Sequence, residues 1–132
     1  MTGGPGGADV RAGQGARTAG AERLDLAAVA AGDRPRAGVR ASLGGDGDLN
    51  ANLVSFPPGE GVGEHVNAER DVLIVGVAGT GAVVVDGVAH EVAPLTAVRV
   101  PRGARRATRA GRERFSYLTV HARRTPGLTV LR

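Results

Sequence analysis

Residues 58–79 read PGEGVGEHVNAERDVLIVGVAG, and residues 100–106 read VPRGARR. Glycines at 59, 61, 63, 76, 79 and 103, with Pro58 and Pro101, cut this part of the chain into short pieces. The apolar run from Asp71 to Val77 is too brief for an ordinary helix and rich in valine, so it reads as a strand, apolar on both faces and therefore central and covered. His65 and Asn67 stand two apart on an extended segment and so share one face.

The same rhythm extends in both directions. Gly38 to Leu43, Leu49 to Phe56, Gly63 to Asn67, Asp71 to Val77, Gly81 to Asp86, Ala89 to Val92, Ala97 to Val100, Arg105 to Arg109 and Arg114 to Ala122 are nine short candidate strands. Turn residues punctuate them every eight to twelve positions or so, which argues for an all-β sandwich or barrel. Asp86-Gly87 is a two-residue hairpin signal. Leu24 to Ala31 predicts two turns of helix stopped by Gly32, with Pro35 beyond. Residues 1–22 are Gly, Ala, Thr and Arg without periodicity and read as a disordered tail ahead of a folded domain at 23–132. Residues 126–131 offer a last edge strand.

The two quoted stretches resemble the conserved motifs of the cupin family, in which a glycine-containing loop leads into His-x-His, a carboxylate and a closing glycine, followed by Pro-x-Gly-x-x-His. The resemblance covers roughly residues 38–122 and implies a double-stranded β-helix, a jelly-roll barrel, here with a short N-terminal helix. It sets His65 at the first histidine, Asn67 at the second, Asp71 at or one place before the carboxylate, and Arg106 at the last histidine. Counting forward from His65 gives Asp71 and counting back from Gly79 gives Val72, and one residue reverses the face of a strand. Glu69 is a second candidate for the carboxylate.

A complete set of that kind would hold iron, manganese, zinc or nickel. Asn67 is a weak ligand for a transition metal, and a guanidinium stays protonated and cannot ligate. The expectation is therefore a barrel that binds a small, anionic molecule through His65, Asn67, Asp71 and Arg106 without a cofactor. A salt bridge from Asp71 to Arg106, standing where the metal would be, is an equal structural reading. The alternative is a metal-dependent enzyme of dioxygenase or isomerase type with a divalent transition metal at His65 and a rearranged site, using Asp71 or Glu69 and His121. His121 alternates with Phe115, Tyr117 and Thr119, whereas His90, in a hairpin strand, reads as exposed.

Composition limits the other classes. The 132 residues are 42% hydrophobic and only 2% aromatic (Phe56, Phe115, Tyr117), so the core is aliphatic and bases have little to stack on. All 17 basic residues are arginine, at a net charge of +4, a pattern that GC-rich coding produces. An arginine-rich nucleic-acid binder is the weakest reading. Gly59-Glu60-Gly61-Val62-Gly63 lacks the helix and lysine of a phosphate loop. The absence of cysteine excludes disulfides and thiolate metal sites. No apolar run approaches the roughly 20 residues needed to cross a bilayer, and residues 1–15 lack the core of a signal peptide. The expected setting is cytoplasmic, the expected assembly a homodimer, the expected partner a small molecule.

Overall fold

The computed structural model describes residues 20–32 and 37–123. Among these residues one helix precedes nine strands: α1 (Leu26–Ala30), β1 (Gly38–Leu43), β2 (Leu49–Phe56), β3 (His65–Val66), β4 (Val72–Ala78), β5 (Gly81–Val85), β6 (Val88–Val92), β7 (Ala97–Val100), β8 (Arg105–Ala110) and β9 (Phe115–Ala122). Every ladder is antiparallel. Five strands form one sheet in the order β1-β2-β9-β4-β7, and four form the other in the order β3-β8-β5-β6. The expected double-stranded β-helix is present, but as two facing sheets rather than a closed barrel. No ladder joins the two sheets among the described residues. The expected edge strand at 126–131 lies outside those residues, as does the expected tail through residue 19.

Alternation decides which side chains meet between the sheets. Val54 and Phe56 of β2, Val72 and Ile74 of β4, Phe115 and Tyr117 of β9, Val83 of β5, Val92 of β6, Val100 of β7 and Ala110 of β8 form one core. All three aromatic residues meet there: Tyr117 lies 6.2 Å from Phe56 and 5.0 Å from Phe115 between ring centres. Concentrating the few large rings at one place fills the space that small aliphatic side chains leave.

The outer face of the five-stranded sheet is covered only in part. Asp25 caps α1 by accepting a hydrogen bond from the Ala28 amide at 3.0 Å, and the helix buries Val29 and Ala30 against Leu53. Glu22, within the stretch expected to be tail, accepts a hydrogen bond from the Gly44 amide at 2.9 Å. Strand β4 departs from the expectation of two covered faces: Val72 and Ile74 are buried, while Leu73 on the other face is 40% exposed. The helix packs against the Val77–Ala78 end of β4 and leaves Leu73, at the other end, uncovered.

Glycine permits the close approaches at one corner. Residues 59–62 run along β8, with the Ala110 amide donating to Glu60 at 2.7 Å and the Thr108 amide to Val62 at 3.0 Å. A Cβ at Gly61 would run into the Thr108 carbonyl. Gly79 combines a φ of +69° with the Arg114 carbonyl lying where a side chain would start. At the opposite end Asp86 (φ 48°) and Gly87 (φ 83°) make the expected tight hairpin between β5 and β6.

Candidate functional site

Strand β3 is only two residues long, yet its register fixes the site, because His65 pairs with Arg106 across the β3–β8 ladder. Both side chains enter the space between the sheets, where they line a cavity of about 280 Å³. Arg106 Nε donates a hydrogen bond to His65 Nε2 at 3.0 Å. With Nε2 accepting, the ring's proton sits on Nδ1, which donates to the Gly63 carbonyl at 2.9 Å. Both ring nitrogens are thus in use.

Residues two apart on one strand share a face, so Thr108 follows Arg106 into the cavity. Its hydroxyl accepts from the Val62 amide at 3.2 Å and shares a hydrogen bond of 2.9 Å with the Tyr117 hydroxyl. Thr119, two residues after Tyr117, continues the same row of β9. Val39, Val54, Phe56, Val62 and Ile74 supply an apolar wall. The sequence already held this signal, in the alternation of Phe115, Tyr117 and Thr119 and in the spacing of Arg106 and Thr108.

The electrostatics follow from burial. Losing water lowers the Arg106 pKa, a shift partly offset by Tyr117 nearby, while burial raises the Tyr117 pKa against the opposing hydrogen bond from Thr108 and the charge of Arg106. An arginine stays protonated despite such a shift. Its Nη1 is buried and has no hydrogen-bond partner among the described residues. No aspartate or glutamate lines the cavity. The wall therefore presents one positive charge with part of its donor capacity unspent.

Asn67 and Asp71, which the sequence grouped with His65 and Arg106 in one pocket, do not line the cavity. Asn67 Oδ1 accepts from the Glu69 amide at 3.0 Å and the Arg70 amide at 3.1 Å, and its carbonyl accepts from Gly103 at 2.8 Å. It builds the turn into β4. Asp71 accepts from the Arg102 amide at 2.9 Å and pairs with Arg99 at 3.6 Å on the surface, in place of the expected bridge to Arg106. Register gives the reason: Val72, 1% exposed, takes the inward position, so the residue before it turns away. Glu69 and His90 are exposed. His121 lies beyond the cavity, with Nδ1 donating to the Ala122 carbonyl at 2.8 Å.

These residues do not fit the divalent ion that the motif resemblance implies. The lone pair that would bind a metal at His65 Nε2 accepts the Arg106 hydrogen bond instead. A cation at that point would face a fixed guanidinium charge within a few ångströms, which costs several kcal/mol even at an effective dielectric of about 20. Among the described residues no three His, Cys, Asp or Glu side chains converge on one point as a metal set.

A wider depression of about 690 Å³ lies on the outer side of the four-stranded sheet, lined by Ala82, Ala89, Glu91, Arg109 and Glu113 among others. Its charges are of both signs and it opens broadly to water. The inner cavity holds the buried donor in need of a partner, and is the stronger candidate.

No protein-family model and no curated protein matches the sequence. Solved structures do match in shape. A cupin superfamily protein from Desulfitobacterium hafniense aligns at 24% identity with a TM-score of 0.64, over 75% of this chain and 88% of that one. A conserved protein with a double-stranded β-helix domain from Klebsiella pneumoniae aligns at 13% identity and a TM-score of 0.64, over 77% and 90%. KdgF from a Halomonas species aligns at 21% identity and a TM-score of 0.56, over 61% and 74%. The order of strands, the glycine-bounded motifs and these likenesses agree, and the chain has the cupin fold.

Proposed function

We propose that the cavity between the two sheets binds a small anionic molecule and does so without a metal centre. One observation carries the reading: Arg106 sits on a carboxylate-free wall, bonded only through Nε, with a buried Nη1 that has no partner among the described residues. A buried donor left unmatched costs about 1–3 kcal/mol, more when it is charged, and an anion arriving from outside restores what burial removed. His65 contributes by holding the guanidinium through Nε, which leaves the terminal nitrogens for the ligand. The hydroxyls of Thr108 and Tyr117 complete the polar side of the site.

Calorimetric titration of the purified chain with small organic and inorganic anions is the direct test. Binding that disappears in Arg106→Gln supports the reading. Anion binding that is indifferent to Arg106, or a stoichiometric transition metal lost on His65→Ala, overturns it. The same proposal includes a homodimer, for which the exposed Leu49 and Leu73 on the outer face of the five-stranded sheet are the support. Sedimentation that shows only monomer would remove that part alone.

A further inference from the structure

The hydrogen-bond inventory of the cavity narrows the ligand further. Thr108 and Tyr117 carry two hydroxyl hydrogens, and their shared bond uses one of them. If Tyr117 donates, Thr108 Oγ1 has accepted from both Val62 and Tyr117, and only its own hydrogen is left. If Thr108 donates, the Tyr117 hydrogen is left. In both arrangements the pair offers one donor. The Thr119 hydroxyl is directed at the Asn52 carbonyl at 3.5 Å, and both nitrogens of His65 are engaged. The donors that remain are the terminal nitrogens of Arg106 and one hydroxyl hydrogen, beside spare lone-pair capacity on the hydroxyl pair. The fixed charge of the guanidinium, with no carboxylate on the wall to answer it, favours an anionic acceptor, and a carboxylate has two oxygens to divide between guanidinium and hydroxyl.

Size and wall chemistry supply the second restriction. A volume of about 280 Å³ falls just below the ~300–1,000 Å³ range of clefts that take drug-sized ligands, so the occupant is small. Most of the wall is Val39, Val54, Phe56, Val62, Ile74 and the Tyr117 ring. A bare inorganic anion would leave that apolar surface wet and contribute nothing to its burial. One guanidinium matches one negative charge.

We infer, resting on the anion-binding reading above, that the ligand is a small monocarboxylate with an apolar body, its carboxylate held between the Arg106 guanidinium and the Thr108–Tyr117 hydroxyl pair and its body packed against Phe56, Val54 and Ile74.

The test titrates the full chain with phenylacetate, phenylacetamide and inorganic phosphate. Phenylacetate is expected to bind at least about tenfold more tightly than its amide, which has the same body without the charge. Arg106→Gln erases that preference, and the double variant Thr108→Val with Tyr117→Phe, which removes both hydroxyl hydrogens and leaves the ring in the wall, weakens phenylacetate by roughly fivefold to tenfold. If Arg106→Gln does not fold, Arg106→Lys, which keeps the charge and loses the planar fork, gives the same reading through a partial loss. Equal affinity for acid and amide overturns the inference. Phosphate that binds as tightly as phenylacetate, and depends on Arg106, also overturns it while leaving an anion site in place. If no anion binds, this inference and the wider reading fail together.

Discussion

Two regions of the sandwich treat their polar groups differently. At the corner formed by residues 57–62, 78–81 and 109–115, backbone meets backbone so closely that glycine alone fits, and the amides and carbonyls answer each other in sequence. On the cavity wall a charged donor is held in place and left without a partner. The corner is complete in itself. The cavity wall is stable only as part of a fold that can carry the cost, and that unspent capacity is what makes it a site. Asn67 and Asp71 belong with the corner: their oxygens are used up in turn-making bonds, although the sequence sets them within a few residues of His65.

The contrast breaks first at Gly79. Gly79→Ala drives a side chain into the Arg114 carbonyl at a left-handed backbone position, and we expect a loss of about 3 kcal/mol or more of stability in urea titrations. Ligand affinity of the fraction that stays folded is expected to be unchanged. A loss below about 1 kcal/mol would show that the corner can yield and is not the rigid frame assumed.

Thr108 stands where frame and cavity meet. Thr108→Val keeps the shape but strands the Val62 amide and the Tyr117 hydroxyl, for an expected loss of about 2 kcal/mol by the same measurement. A smaller effect follows from titration. Burial raises the Tyr117 pKa above its ordinary 10.0, so at higher pH the folded protein keeps a proton that the unfolded chain has released. This contribution is whole below about pH 10 and is lost as pH rises through the folded value. Tyr117→Phe is expected to show a flatter decline in melting temperature between about pH 9.5 and about pH 11. An identical decline in both proteins would place the phenol in contact with water.

The smallest effect is expected at Asp71. Asp71→Asn gives up an ion pair whose side chains are 64% and 56% exposed but keeps an acceptor for the Arg102 amide, so the change should be about 0.5 kcal/mol or less. It should not alter anion affinity. A clear gain or loss of binding would return Asp71 to the cavity and erase the distinction between the two regions.

Much of the architecture was legible beforehand because alternation and glycine spacing are local properties. The strands at Gly38–Leu43, Leu49–Phe56 and Ala97–Val100 begin and end where the pattern places them, and Asp86-Gly87 turns as its composition requires. The strand around His65 shrinks from the expected five residues to two because the neighbouring glycines follow β8 without regular pairing. At the site, motif spacing brought out His65 and Arg106. It missed Thr108 and Tyr117, since a polar residue on a core-facing strand is not marked as functional until the opposite wall is known.

By itself the sequence determined the short-strand pattern and the glycine punctuation, and its resemblance to the cupin motifs set Asn67 and Arg106 at ligand positions. Only the tertiary structure decided that Arg106 bonds His65 rather than Asp71, and that Asp71 lies on the surface. The physical reason is that strand register has a period of two: a count uncertain by one residue leaves the face undetermined until Val72 is seen packed against the core.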